Sequence, residues 1–384
     1  MTTTDKRAVH SESLQSAKSF WETPYFAPLD GLRALSLLLV VAGHTRTGLP
    51  IKNYFNGGLG VGVFFVLSGF LITILLLREE LVRGRISLGG FYIRRAFRIF
   101  PPYFLTIGVY LLVGLIPSQH ALRTKFLSGL PYFLSLRNEY VPKGLDVAFT
   151  HSWSLSVEEK FYFVWPLLFF IVLRKLKGRW AIVPITLIPL AISRIQSLPV
   201  AYFSLLLGCC VAIALHALRG KQREVLAWIH RVPVAIAVAV WVLTYFASLK
   251  GPFRVSFILS TAALLPILLL RETLLSRVLG SGVCTWIGKR TYSMYLFHAF
   301  CLTAIEERLI HPTTDAKYLG VVVLAYLSSL GVASVVYVVL EKPAVSWGRR
   351  LAGVYVAGRN QRMQRESGPA EEDRTPEYTV ALRR

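Results

Sequence analysis

From about residue 27 to residue 340 the chain is a succession of apolar blocks of roughly 13 to 23 residues, separated by short stretches rich in Lys and Arg. Most blocks approach the length a helix needs to cross a hydrocarbon core of about 30 Å. The pattern predicts ten helical spans, near 29–45, 60–77, 103–117, 156–173, 181–193, 200–218, 232–249, 255–270, 291–305 and 318–340. The stretch 126–136 is apolar but short, and Gly129 and Pro131 interrupt it, so it is expected to be interfacial or re-entrant. More than twenty polar residues precede the first block and no basic-then-apolar leader opens the chain, so that block is expected to be retained. The expected fold class is an all-α integral membrane protein, a bundle of about ten transmembrane helices over 25–345. It lies between a polar tail at 1–24 and a disordered tail at 346–384.

Composition agrees: 54% of residues are hydrophobic and 17% charged, where a soluble domain carries about 25% charged. A formal net charge of +22 in a soluble protein would suggest nucleic acid as a partner. Here the cations lie between apolar blocks, which suits anionic headgroups and insertion topology, and no nucleic-acid partner is expected. With both termini cytoplasmic, inner segments hold 30 Lys and Arg and outer loops 11, an asymmetry that obeys the positive-inside rule. The expected location is the inner membrane of a bacterial cell. Cys209, Cys210, Cys284 and Cys301 fall in or beside apolar blocks without metal-ligand spacing, and read as small core residues.

Charges inside apolar spans are costly and therefore candidates for function. The first span carries Asp30, Arg33 and His44. Eleven residues of helix turn through almost whole revolutions, so Arg33 and His44 share a stripe about 16 Å long, with Asp30 beside it. Such a His is either a core residue bonded to a neighbouring helix or a general base, and Arg33 is expected to pair with Asp30 whatever else it does. The block 151–162 (HSWSLSVEEKFY) places Glu158 and Tyr162 one turn apart on one face, with Glu159 pointing elsewhere. Both glutamates suit the N-terminal dipole of a helix, with Ser156 as a possible cap. The functional expectation is that Glu158 meets His44 at the outer face and holds its imidazole in one tautomer. On the inside, Arg95 and Arg98 share a face and are suited to grip phosphate, although basic residues at a cytoplasmic end also serve topology. Tyr292, Tyr295 and His298 fall near one face of the ninth span, as in a packed polar network. The run Gly57-Gly58-Leu59-Gly60-Val61-Gly62 precedes no strand–helix unit and reads as a surface for close helix packing, not a dinucleotide loop.

Six pieces together resemble acyltransferase family 3, the membrane-bound O-acyltransferases of O-antigen, exopolysaccharide and macrolide type. They are LDGLRALSLLLVVAGH (29–44), GVFFVLSGFLI (62–72), RRAFRIFPPYF (94–104), HSWSLSVEEKFYFVWP (151–166), GKRTYSMYLFH (288–298) and Glu341-Lys342-Pro343. They occur in family order. Lys160, Thr291 and Lys342 stand where Gln, Ser and Arg are common in the family, and the Lys160 charge has no evident partner in the sequence. No hydrolase-like domain is appended, so the acceptor is expected to meet the bundle directly.

The resemblance implies an enzyme that moves an acyl group, acetyl in the first instance, from acyl-CoA to a hydroxyl. The acceptor would be a carbohydrate, a lipid-linked glycan or a glycosylated small molecule. No cofactor is implied beyond acyl-CoA as co-substrate, and no metal. Arg33, Arg95 and Arg98 would hold the donor's phosphates, and His44 with Glu158 would be catalytic. Ser68 and Tyr162 are both open as the oxyanion donor, with Asp30, Tyr295 and His298 in support. A transporter or flippase using the same intramembrane charges is the rival from another class, and would move substrate or protons without CoA.

Overall fold

The computed structural model describes residue 20 and residues 25–142, 144–170, 185–189, 198–249 and 254–366. Every regular element among them is helical. Helix α1 (Ala27–His44) opens with Pro28 in its first turn and places Asp30 where it complements the helix dipole. After a 3₁₀ turn, α2 (Gly57–Arg83) is capped by the Asn56 side chain, which accepts from Gly58 N and Leu59 N, and stops at Gly84 in the left-handed region, φ 64°. Ser87 caps α3 (Leu88–Gly114). Then come α4 (His120–Leu134), α5 (Trp153–Leu168), α6 (Leu198–Ala217), α7 (Gln222–Arg231), α8 (Val234–Leu249) and α9 (Arg254–Leu270). Two short helices, α10 (Leu274–Leu279) and α11 (Gly282–Gly288), lead to α12 (Thr291–Arg308) and α13 (Asp315–Val336). A π-helical turn at Tyr337–Glu341 joins α13 to α14 (Lys342–Glu366).

Five of these stretches are long and apolar enough to cross a membrane: Ala27–His44, Pro50–Arg83, Leu88–Gly114, Val200–Lys221 and Asp315–Arg359. A sixth arises if Glu224–Arg231 and Val234–Leu249, which meet at 67°, form one broken span. Five or six of the ten expected spans thus meet the length and composition of a crossing among the described residues. Helix α9 has 17 residues, at the lower limit for a crossing, and α5 continues helically through Phe170 to the edge of the described residues. Helix α12 carries polar groups throughout, Ser293, His298 and Glu306 among them. Most of the span expected at 181–193 lies outside the described residues.

Close backbone approaches set the packing. A Cβ on Gly69 would lie 1.8 Å from Leu205 O, and one on Gly208 would lie 2.1 Å from Val66 O, so α2 and α6 touch main chain to main chain. In the glycine run at 57–62, Gly60 faces Ser36 O of α1 and Gly62 faces Ile258 of α9, as its packing role requires. The seam beside them is filled by Leu37, Val40, Val63, Val66 and Phe70, all fully buried. Gly69→Ala should force the two backbones apart, at a cost of about 1–3 kcal/mol typical of overpacking. A lower thermal-inactivation midpoint in detergent would register it, and an unchanged midpoint would contradict this contact.

At the other end, α14 runs through the first part of the segment 346–384 that composition suggested was disordered. The reason is a small-residue face: Ala344 and Ala352 are buried, Gly348 abuts Phe97 of α3, and Tyr355 lies against Gly89. Residues 367–384 lie outside the described ones.

Candidate active site

The stripe expected on α1 is present. Arg33 Nη1 lies 3.1 Å from Asp30 Oδ1, and Tyr25 donates to the other carboxylate oxygen, so the guanidinium is anchored at its base. His44 is the last residue of α1 and is exposed, with Nδ1 2.8 Å from Val40 O. A carbonyl oxygen only accepts, so Nδ1 must be the donor and Nε2 of the neutral ring carries the lone pair. The backbone of its own helix thus selects the tautomer a general base needs.

Three helices bring the arginines together with Glu158. A cavity of about 80 Å³ is lined by Arg33 from α1, Ser68 from α2, Arg95 and Arg98 from α3, and Glu158 and Tyr162 from α5. Tyr295 of α12 and Glu159 complete its polar wall. Glu158 accepts from Ser68 Oγ and from Tyr162 Oη, the latter at 2.5 Å. The Arg95 guanidinium sits 4.7 Å from the centre of the Tyr162 ring, and Arg98 is exposed at the cavity's edge. Arg33, Arg95, Arg98, Ser68, Glu158, Tyr162 and Tyr295 are therefore one site, although they were read from five separate stretches of sequence.

Glu158 is not paired with His44, contrary to the expectation from the sequence. Helix α5 begins at Trp153, so Glu158 lies more than one turn inside it and faces the arginines. The residue that reaches His44 from this block is His151, in the 3₁₀ turn before the helix. Phe149 adopts φ 65°, a strained conformation for a bulky residue, and Ser152 Oγ ties the reversal by donating to Phe149 O at 2.5 Å. That reversal turns the His151 ring inward, edge-on to the Phe149 ring at 5.0 Å between centroids.

His298 joins them. Its ring centroid is 5.1 Å from that of His44 and 4.6 Å from that of His151, and the His44 and His151 rings are 6.4 Å apart. His298 Nδ1 bonds to Tyr295 O at 2.6 Å, which again leaves Nε2 as the acceptor. Both His151 and His298 are buried, and the Nε2 atom of each has no hydrogen-bond partner among the described residues. The signal for His151 was its place at the head of the 151–162 block, but one chain alone does not reveal which end of that block meets α1.

Tyr295 links the two clusters. It lines the arginine cavity, its hydroxyl donates to His151 O at 2.7 Å and lies 2.7 Å from Ser154 Oγ, and one turn later along α12 comes His298. Two further features sequence reasoning missed hold the site in place. Glu306, buried on α12, accepts from Arg46 N at 2.6 Å and pairs with the Arg46 guanidinium at 3.4 Å, which fixes the chain two residues beyond His44. Lys160, whose partner the sequence left open, pairs with buried Glu139 and donates to Leu136 O at 2.7 Å. Ser156 does not cap α5; it accepts from Asn138 N inside the helix.

With this geometry established, similarity to known proteins can be weighed. The acyltransferase domain family matches residues 26–338. The chain is 28% identical over 364 residues to the Bacillus subtilis protein named "Putative peptidoglycan O-acetyltransferase YrhL", covering 85% of this chain and 56% of that one. It is 28% identical over 320 residues to a Staphylococcus aureus "Putative O-acetyltransferase", covering 74% and 52%. It is 27% identical over 313 residues to the Listeria monocytogenes "Peptidoglycan O-acetyltransferase OatA", covering 71% and 49%. The chain thus spans about half the length of these relatives. No solved structure matches it. The match takes in every helix from α1 to α13 and every residue of the two linked clusters, and the chain belongs to the acyltransferase domain family.

Proposed function

We propose that this protein is a membrane-bound O-acyltransferase that moves an acetyl group from acyl-CoA to a carbohydrate hydroxyl, with His44 as general base. The observation that carries the reading is Tyr295, which lines the arginine cavity and packs against His151 and His298, the two rings that neighbour His44, whose Nε2 carries the lone pair. The CoA phosphates would lie at the cavity's edge, on exposed Arg98 and on Arg95, while the pantetheine arm carries the thioester inward. Ser68 and Tyr162 both donate to Glu158 at the cavity, and either would serve an oxyanion by turning its single O–H from that carboxylate. The names of the relatives make a peptidoglycan-type glycan the first acceptor to test.

Purified protein in nanodiscs, given acetyl-CoA and glycan fragments, should release free CoA and yield O-acetylated product by mass spectrometry. Substrate flux without any CoA dependence would favour a transporter instead. Arg95→Gln and Arg98→Gln should each weaken apparent acetyl-CoA affinity by about 1.5–3 kcal/mol, the range for a lost charged hydrogen bond. Unchanged affinity in a correctly inserted protein would leave these residues a topological role only.

The same reading sets an orientation: termini and arginine edge in the cytoplasm, loop 118–155 outside. A cysteine introduced at exposed Tyr140 should react with an impermeant reagent from the outer side. Labelling only from the cytoplasm would invert the arrangement.

A further inference from the structure

His44 has neighbours that its role as a base does not explain. Two buried imidazoles form a triangle with it: His298 at 5.1 Å and His151 at 6.4 Å between ring centres, the two lying 4.6 Å from each other. Neither is a surface residue that happens to be close, since His298 is 0% exposed and His151 4%. The Nε2 of each has no hydrogen-bond partner among the described residues. Leaving a buried acceptor without a donor is costly, and natural cores keep few such atoms. The tautomer of His298 is fixed by its Nδ1 bond to Tyr295 O, so its Nε2 stands ready to take a proton and has none.

We infer that His298 and His151 form a proton relay behind His44, in which His298 receives the proton that His44 removes from the acceptor. The inference rests on the acyltransferase reading above. As the acceptor oxygen attacks the thioester carbonyl, its O–H bond breaks and the proton goes to His44 Nε2. A tilt of the His44 ring hands that proton to His298 Nε2, while His298 Nδ1 keeps its own proton on Tyr295 O. The C–O bond forms, the C–S bond breaks, and the electron pair leaves with the CoA sulfur as thiolate. The proton then returns through His44 to that sulfur, so the products are the ester and the free thiol.

Each part of the arrangement has a physical use. While the proton rests on His298, His44 is no longer a cation beside the attacking oxygen and cannot return the proton before the C–O bond has formed. The His151 ring lies 4.6 Å from that of His298, and its Nε2 has no partner among the described residues, so a small rotation that let it accept from the His298 imidazolium would favour the charged form. The backbone bond at Tyr295 prevents the His298 ring from turning its Nε2 away. His298 acts through His44 and is in this sense a positioning residue for the proton, with no contact to the acceptor required.

The test is a proton inventory, the turnover rate measured across mixtures of light and heavy water. The full chain in nanodiscs would be used, with acetyl-CoA as donor and chitotriose, a trisaccharide of N-acetylglucosamine, as the carbohydrate probe. The unaltered protein should give a curved inventory, because more than one proton moves in the rate-limiting step. His298→Phe keeps an aromatic ring but no acceptor, and should give a straight line with kcat lower by roughly 10-fold to 100-fold. The KM values for both substrates and the melting temperature should not change. His298→Gln, which can still donate to Tyr295 O, provides a second variant if the first is unstable, and should show the same straight line. A straight line in the unaltered protein, a curve that survives in both variants, or a loss confined to KM or melting temperature would overturn the relay. If His44→Ala were as active as the unaltered protein, the acyltransferase mechanism itself would fail; if only the His298 variants were normal, the relay alone would.

Discussion

Replacing His44 by alanine is expected to lower acyl transfer by roughly 10²-fold to 10⁴-fold, the contribution of a positioned general base. Expression, insertion and acetyl-CoA binding should be retained. The argument is geometric. His44 is exposed at the end of α1, where an acceptor can reach it, and it makes one side-chain bond, to Val40 O of its own helix. Its removal therefore unmakes no bond between helices. The end of α1 stays fastened by Glu306 to Arg46 N and by Tyr318, whose hydroxyl donates to Ala42 O at 2.9 Å. The donor site lies elsewhere, on arginines that share no side-chain bond with His44. Single-turnover release of CoA, measured beside equilibrium binding of acetyl-CoA, separates the two effects. Near-normal turnover would remove His44 from the mechanism, and a loss of binding would mean that the cavity and the histidines are not the separate stations described.

Much of this site was legible in the sequence wherever one helix sufficed to define it. The Asp30–Arg33 pair follows from three-residue spacing, and the shared face of Glu158 and Tyr162 from four-residue spacing; both bonds are present. What crosses between helices was not legible. Whether α5 meets α1 through Glu158 or through His151 depends on where α5 starts, and that is set by the reversal at Phe149, a bulky residue no turn rule selects. His298 was read as part of a tyrosine network because its spacing to Tyr295 is visible, whereas its 4.6 Å approach to His151 is tertiary. Five or six of the ten expected spans meet the length and composition of a crossing among the described residues. Helix α12 carries polar groups with partners on other elements, Ser293 bonded to Glu341 at 2.8 Å and Glu306 to Arg46. Helix α14 was missed because the alanines and glycines that seat it on α3 carry little hydropathy.

Glu158→Gln is expected to be the second large loss, and it should combine with His44→Ala as an independent change. The carboxylate is the one group that holds both Ser68 and Tyr162, and it does so inside the cavity that contains Arg33, Arg95 and Arg98. The amide keeps the shape but removes the charge, so both hydroxyls lose a charge-assisted acceptor and the guanidinium groups lose a balancing anion. Removing one charge from a partly buried cluster leaves the others less compensated. The effect should fall on the donor side: weaker acetyl-CoA binding or a misplaced thioester, and a turnover lower by roughly 10-fold to 100-fold, about 1.4–2.7 kcal/mol. Had Glu158 oriented His44, the two replacements would overlap and the double mutant would lose far less than the product of the single losses, as groups that act as a unit do. The geometry demands the opposite. His44 takes its tautomer from Val40 O and its ring neighbours from His151 and His298, while Glu158 takes Ser68 and Tyr162, so they share no partner. Sites without shared partners add within about 0.3–0.5 kcal/mol. The double-mutant cycle on turnover should therefore close within that margin, and a coupling above about 1 kcal/mol would restore the direct Glu158–His44 contact that the sequence suggested.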